Sequence, residues 1–193
     1  MTANQRCKIK IKAIGLSEVA PSTLRRAAAV HPVAAVQSEY SLWTRQPEMG
    51  MIQACEALGT AFVGFSPVGR GMLTDRPTTV GQDLTGMFTD GNPRFVEPNL
   101  SANLAWTDAF RGYAADRGQP TAALALAWVL AKSPNTIAIP GTRFVPHLQE
   151  AALGASIELS TDEVAEIETI LPVGFAHGDR YSDGQWKGQE RYC

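Results

Sequence analysis

The chain has few of the residues that build disulfide frameworks and metal sites. Among its 193 residues are three histidines and three cysteines, Cys7, Cys55 and Cys193. The cysteines are odd in number, far apart and in no CxxC spacing, which indicates neither a disulfide framework nor a zinc site. We therefore expect no metal site, and we expect a protein of the reducing cytoplasm.

The sequence also lacks a surplus of charge and any long apolar run. Its net charge is −2 and its pI about 5.9, which leaves no electrostatic footprint for nucleic acid or for an anionic membrane. No apolar run is long enough to cross a bilayer, and the charged opening MTANQRCKIKIK is not followed by the apolar stretch of a signal peptide. Neither GxGxxG nor a Walker A motif occurs, which excludes Rossmann and P-loop nucleotide sites.

The main feature of the sequence is a series of apolar strand segments that alternate with helical segments. Strands are predicted at residues 8–14, 33–37, 61–65 and 136–140. Each is apolar through most of its length, as strands buried on both faces are, and the alternation with helices favours a parallel sheet covered by helices. A long loop is predicted at 67–101, a length that is usually functional in a compact domain.

The helices are predicted from apolar periodicity and from capping residues. Gly59 follows one predicted helix as a C-terminal cap, and Ser160 with Glu163 forms a capping box at the start of the last. The predicted helical segments lie at residues 21–30, 47–59, 101–118, 120–134, 146–154 and 160–171. The resulting order is β-α-β-α-β-α-α-β-α-α, in a chain long enough for one domain with a sizeable core.

Polar residues and glycines follow every predicted strand, at 15–18, 37–40, 65–70 and 140–143. In parallel α/β folds the ligand site lies beyond the carboxyl ends of the strands. Arg70 and Arg143 stand beside glycine turns and suggest a phosphate-bearing ligand. Taken singly, each such residue is as well explained by an ordinary turn, a strand end or a solvated surface arginine, and this applies to Gln37 and Tyr40 as well.

Several blocks of the sequence together resemble the aldo-keto reductase superfamily, and its bacterial aryl-alcohol and pyridoxal reductase-like branches most of all. They are IGLSEVAPSTLRRA, VQSEYSLWTRQPE, CEALGTAFVGFSPVGRGMLT, RFVEPNLSANL and IPGTRFVPHLQEAALGA. The family fold is a (β/α)8 TIM barrel, and the blocks resemble only its second half, from the fifth strand to the eighth. The resemblance implies an α/β fold with four βα units, a half-barrel domain at residues 1–172 and an irregular tail at 173–193.

The resemblance also implies a cofactor, NADP(H), extended across the carboxyl ends of the strands. Phe65 takes the place of the aromatic residue, usually Tyr, that stacks on the nicotinamide, while Ser17 and Gln37 match residues that bind its carboxamide. Glu18 stands where the family usually has Asn. The segment that follows the third strand matches the part that lies along the pyrophosphate, and it comprises Ser66, Pro67, Val68, Gly69 and Arg70.

The adenosine end of the cofactor is implied to lie beyond the fourth strand. Gly141, Thr142 and Arg143 match the family's 2′-phosphate loop, and Glu150 matches an adenine contact. His147 stands where the family often has Arg, and Ala151 replaces a common Asn. From these residues the resemblance implies that NADPH is bound in preference to NADH.

The family's catalytic Asp, Tyr, Lys and His come from the first four strands, and no segment of this chain matches the blocks that carry them. We therefore expect NADPH-dependent reduction of aldehydes and ketones in which this chain supplies the cofactor-binding half, has no catalytic residue and is inactive alone. The alternatives are a non-catalytic NADP-binding or interaction module and a truncated inactive fragment. A half barrel leaves strand edges unpaired, so the expected partners are a second copy or a complementary N-terminal half, besides NADPH and a small carbonyl substrate.

Overall fold

The computed structural model describes residues 11–190 and contains a four-stranded parallel sheet. The strands lie in the order β1-β2-β3-β4, so each is hydrogen-bonded to its neighbours in sequence. Every connection between them is a helical crossover, as parallel strands require. The strands are β1 (Gly15–Ser17), β2 (Ala35–Glu39), β3 (Ala61–Phe65) and β4 (Thr136–Ile139).

The positions of two strands were predicted correctly and those of the other two were not. β3 has the predicted bounds and β4 ends one residue early, at Ile139. β2 is shifted towards the C-terminus, because Ser38 and Glu39 continue the ladder opposite Gly64 and Phe65 instead of forming a turn. β1 begins only at Gly15, where it pairs with Ala35. Of the segment predicted for it, residues 8–10 lie outside the described residues.

Six α-helices connect and cover the strands. Pro21 opens the first helix, Gly59 follows the second with a left-handed φ of 64°, and the predicted capping box of Ser160 and Glu163 is present in the last. The helices are α1 (Pro21–Val30), α2 (Met51–Leu58), α3 (Asn99–Asp116), α4 (Thr121–Ala131), α5 (Val145–Gly154) and α6 (Thr161–Ile170). None of the helices in the described part of the chain is long and apolar enough to span a membrane.

The core lies between one face of the sheet and the helices. Val36 and Phe62 point to this side and are fully buried. α4 is buried over nearly its whole circumference, and its Trp128 ring lies 5.5 Å from the ring of Tyr40. A helix that is apolar on all sides belongs inside a protein, and α4 accordingly lies under the other helices.

The described residues leave most of the opposite face of the sheet uncovered. Because side chains alternate along a strand, one row of this face holds Ser17, Gln37, Val63 and Ile137, which are Cα partners across the four strands. Ile137 is 51% exposed, and Ile139 in the next row is 41% exposed. This face of the sheet therefore presents large apolar side chains at its surface.

Two irregular segments pack onto the carboxyl ends of the strands. The predicted loop 67–101 contains two 3-10 turns, Gly69–Gly71 and Pro93–Phe95, and ends at α3. The tail, described as far as residue 190, has no helix or strand, yet Phe175, Arg180 and Tyr181 in it are buried. The tail is therefore an ordered part of the surface above the strand ends.

Candidate functional site

A groove of about 970 Å³ lies beyond the carboxyl ends of β3 and β4. One wall is the turn that follows β3, residues 66–71, here called the β3 turn. The other wall is the β4 loop, residues 140–147, which leads into α5. The predicted site residues that line the groove are Ser66, Val68, Arg70, Gly141, Thr142, His147 and Glu150.

The β3 turn is a tight structure with left-handed backbone at four positions, one of which is Gly71 with a φ of 96°. Ser66, Gly69 and Arg70 have φ values of 51°, 59° and 56°. The N–H of Gly69 donates to the carbonyl of Ser66 over 2.9 Å. A Cβ at Gly69 would lie 3.3 Å from the Cβ of Trp43, and Pro67 is buried. Both residues therefore belong to the inner side of the turn, whereas Val68 and Arg70 line the groove.

Arg70 is held by the protein itself. Its Nη2 donates to Glu39 Oε2 at 2.6 Å, and its Nη1 donates to the carbonyl of Arg180 at 2.9 Å. The guanidinium carbon lies 4.9 Å from the ring centre of Phe88 and 4.8 Å from that of Tyr181. The charge of Arg70 is thus neutralised by a buried carboxylate, and its predicted role towards a phosphate remains a prediction.

The β4 loop is open by comparison. Gly141, Thr142 and Arg143 are exposed, and a Cβ at Gly141 would meet nothing within 4 Å. The Thr142 hydroxyl accepts a hydrogen bond from the N–H of Phe144 at 3.1 Å. The guanidinium of Arg143 lies 5.3 Å from the Phe144 ring centre and makes no ion pair with any residue between 11 and 190. It lies on the loop beside the groove and is free to meet an anion.

Ser17, Gln37 and Phe65 lie outside the lining of the groove, on the uncovered face of the sheet. Ser17 and Gln37 are Cα partners and both are exposed. Phe65 is half-buried and pairs with Ile139 on β4, whose following loop forms a wall of the groove. The structure therefore divides the predicted residues into a groove group and a sheet-face group, which meet at the end of β3.

Sequence reasoning missed a buried ion cluster of Glu18, Glu39, Arg70 and Arg180. Glu18, which stands where the family usually has Asn, accepts from Arg180 Nη2 at 2.5 Å and Nη1 at 3.1 Å. Its Oε1 also accepts the N–H of Glu39 at 3.1 Å. A signal existed, since a Ser-Glu pair ends both β1 and β2 and strand ends of a parallel sheet lie side by side.

Tyr40, which the sequence left open between a ligand contact and a strand-end role, belongs to the core. It is fully buried, and its hydroxyl donates to Glu48 Oε1 at 2.9 Å. Burial and the neighbouring Glu48 carboxylate raise the pKa of Tyr40. Its ring contacts Phe62 and Trp128 on the helical side of the sheet, so it has no access to the groove.

The part of the chain from 11 to 190 contains no cluster of side chains that could hold a metal ion. Cys55 is a free, buried thiol, and burial raises its pKa to about 11. A thiol in that state is inert at neutral pH, because the thiolate is the reactive form. Cys7 and Cys193 lie outside the described residues.

Comparison with known proteins agrees with the resemblance carried by the sequence blocks. Residues 8–172 match the model of the aldo/keto reductase family. The chain belongs to that family. A probable aldo-keto reductase 1 from Glycine max is 38% identical over 182 residues, which make up 92% of this chain and 52% of the relative.

Solved structures of the family share the fold. A glycerol dehydrogenase from Gluconobacter oxydans superposes with a TM-score of 0.78 at 25% identity, over 87% of this chain and 51% of the other. A thermostable aldo-keto reductase in complex with the inhibitor epalrestat gives 0.65 at 24% identity, over 87% and 52%. The α/β fold related to the TIM barrel is thereby confirmed, and the chain spans about half the length of these relatives.

Proposed function

We propose that the chain supplies the cofactor-binding half of an NADP(H)-dependent reductase that acts on small aldehydes and ketones. The observation that carries this proposal is the groove between the β3 turn and the β4 loop. Its volume of about 970 Å³ is at the upper end of the range of small-molecule sites, about 300–1,000 Å³. An extended dinucleotide needs a site of this size with glycine-rich walls.

The residues in the groove fit the parts of such a cofactor. Backbone groups of Ser66 and Val68 on the β3 turn would face the pyrophosphate, with Glu150 on the adenosine side. Ser17 and Gln37 on the uncovered face carry polar side chains with no hydrogen bond to another described residue, as a carboxamide ligand would need. The bound nicotinamide supplies the hydride, and the protein binds and orients it.

Arg143 is the residue that we expect to distinguish NADPH from NADH. It is exposed beside the groove, has no ion pair with a described carboxylate, and its planar guanidinium matches a phosphate group. His147 lines the same wall, with its ring 5.5 Å from that of Phe144. A charge-assisted hydrogen bond contributes roughly 1.5–3 kcal/mol, or about tenfold to a hundredfold in affinity.

The test is a titration of the wild-type chain and of the Arg143→Ala variant with NADPH and with NADH, in which binding is monitored by fluorescence quenching. We expect the variant to lose about tenfold to a hundredfold in affinity for NADPH and little for NADH. Arg76→Ala is the matched control, because Arg76 is another exposed arginine that lines the groove. An equal loss of both cofactors in Arg143→Ala would show that Arg143 does not recognise the 2′-phosphate.

The proton donor for the carbonyl is proposed to come from a second half of the barrel. General acid catalysis typically contributes about 10²–10⁴-fold. The chain alone should therefore oxidise NADPH far more slowly than about 10 s⁻¹, the median for enzymes, with any aldehyde of an aromatic and dicarbonyl panel. Turnover near that rate would mean that the chain carries a proton donor of its own.

The second half is proposed to dock on the uncovered face of the sheet and on its free edges, β1 and β4. The exposed Ile137 and Ile139 lie on this face, and unpaired parallel edges favour association. Light scattering after size exclusion should show a self-associated species for the chain alone. A stable, cooperatively melting monomer would contradict self-association, and the complementary half would then be the partner to test.

A further inference from the structure

A second cavity, of about 260 Å³, lies between the segment that follows β2 and the tail. The side chains that matter for its chemistry are Gln46, Arg94, Asp179 and Arg180. Gln46 begins the 3-10 turn before α2, and Arg94 lies in the turn before α3. None of the four was predicted as a cofactor contact, and the groove described above does not include them.

Arg94 is a buried cation with no carboxylate partner. It is 5% exposed, and its guanidinium donates only to uncharged oxygens. Nη1 donates to the Trp43 carbonyl at 2.9 Å and to Thr44 Oγ1 at 2.8 Å, while Nε donates to the Gly178 carbonyl at 3.2 Å. Buried charges in proteins are normally paired, because an unpaired one loses its hydration without compensation. Arg94 forms no ion pair within the described range, so its counter-ion has to come from elsewhere.

The buried groups around Arg94 carry more positive than negative charge, while Asp179 nearby is exposed. Arg70 and Arg180 lie nearby, and the two buried carboxylates of the ion cluster, Glu18 and Glu39, already bind these two arginines. Burial lowers the pKa of Arg94 to about 10, with a further lowering by Arg70 and Arg180 and a partial compensation by Glu39 and Asp179. The shift therefore reports mainly the loss of hydration of the guanidinium, to which the two neighbouring arginines add.

Gln46 adds a second unsatisfied group to the same cavity. Its Oε1 is buried and has no hydrogen-bond partner among the residues that the structure describes. Rotation of the amide about its last bond would turn its NH₂ donors to this position. After this rotation, an anion with several oxygens would accept from the Gln46 NH₂ group and from Arg94 together.

We propose that this cavity binds a small oxoanion, either inorganic phosphate or a short carboxylate, held by Arg94. The volume of about 260 Å³ lies just below the range of sites for drug-sized ligands, so the cavity has room for a small anion together with water. Asp179 is exposed at the cavity and repels an anion, which sets the affinity below what Arg94 would otherwise give.

The experiment uses the full chain and two variants that change charge at the cavity without removing a buried arginine. Sodium phosphate and sodium acetate are titrated separately at constant ionic strength, by calorimetry and by amide NMR shifts of Gly174 and Gly178. Asp179→Asn should bind roughly threefold to tenfold more tightly than wild type, since it removes one nearby negative charge. Gln46→Glu should bind at least tenfold more weakly, because it puts a carboxylate at the buried position.

The positions of the shifted amides distinguish anion binding in this cavity from anion binding in the proposed cofactor groove. Binding of either anion with shifts at Gly174 and Gly178, and with opposite changes in the two variants, supports the proposal. Arg143→Ala should leave these shifts unchanged, because Arg143 belongs to the β4 loop. Shifts confined to Gly141 and its neighbours, no binding at millimolar concentrations, or equal affinities in wild type, Asp179→Asn and Gln46→Glu would each overturn it.

Discussion

The two walls of the groove use the same residue types in opposite ways. In the β3 turn, Arg70 is bound to Glu39 and packed between aromatic rings, and its side chain is only 7% exposed. In the β4 loop, Arg143 is exposed and pairs with no described carboxylate. The first wall is therefore fixed before a ligand binds. In the second wall, the charge of Arg143 is available to a bound anion. The sequence alone does not show whether an arginine beside a glycine turn is paired within the protein or available to a ligand.

The largest expected effect comes from removing the arginine of the fixed wall. Arg70→Met would leave the fully buried carboxylate of Glu39 without its 2.6 Å partner. Breaking a buried pair in this way typically costs about 3–5 kcal/mol, because a buried charge loses its compensation. Urea denaturation should show a loss of this order in the free energy of unfolding.

Arg143→Met is the matched control for this comparison, since it makes the same replacement in the open wall. Arg143 has no buried partner, so its loss should change stability by less than about 0.5 kcal/mol. Similar losses in the two variants would mean that the two walls do not differ as described.

A smaller effect is expected where the open wall joins the helical layer. Gly154 ends α5, and a Cβ there would lie 2.6 Å from the carbonyl oxygen of Ala123 and 2.8 Å from the Cβ of Leu126 on α4. Overpacking of this kind costs about 1–3 kcal/mol, so Gly154→Ala should lower the thermal midpoint clearly. Gly141→Ala, which meets no atom within 4 Å, should leave it nearly unchanged. A stable Gly154→Ala variant would show that α5 shifts as easily as the loop before it.

The smallest effect concerns the alkaline stability of the fixed wall. Burial, together with the carboxylates of Glu39 and Glu18, raises the pKa of Tyr181 to about 12, against about 10 in an unfolded chain. Because the folded state holds this proton more tightly, the contribution is fully present below about pH 10 and is lost as the pH rises towards 12. Between pH 9 and pH 11, the free energy of unfolding should decrease less in Tyr181→Phe than in the wild type. Equal decreases in the free energy of unfolding of the two proteins would mean that a group other than Tyr181 titrates.

The sequence predicted the elements of the fold well because strong local signals mark them. β3 is an apolar run between polar turns, and Ser160 with Glu163 forms a capping box that needs no tertiary contact. β2 was shifted because Ser38 and Glu39 are polar residues that normally end a strand, whereas here Ser38 and Glu39 are fully buried. A buried polar strand end depends on its partners, and those partners are distant in the sequence.

The candidate site was predictable only in part for the same reason. The glycines and hydroxyls of the two walls are local features, and the residues Ser66, Gly141 and Thr142 were identified from them. The commitment of Arg70 to Glu39 depends on a contact 31 positions apart in the chain. The counter-ion of Glu18 lies 162 positions away. The two strand-end glutamates could be placed side by side from the sequence, but no periodicity or spacing reports which arginine pairs with each.

The distance along the chain between Glu18 and Arg180 has a consequence for how the protein is made. Ribosomes add about 5–20 residues per second, so a gap of 162 residues means that Glu18 waits roughly 10–30 s for its partner to be synthesised. Until then the carboxylate at the end of β1 has no cation to bury against, and this corner of the sheet stays hydrated. The strand ends can therefore reach their native arrangement only after the segment around Arg180 has been synthesised and closes over them.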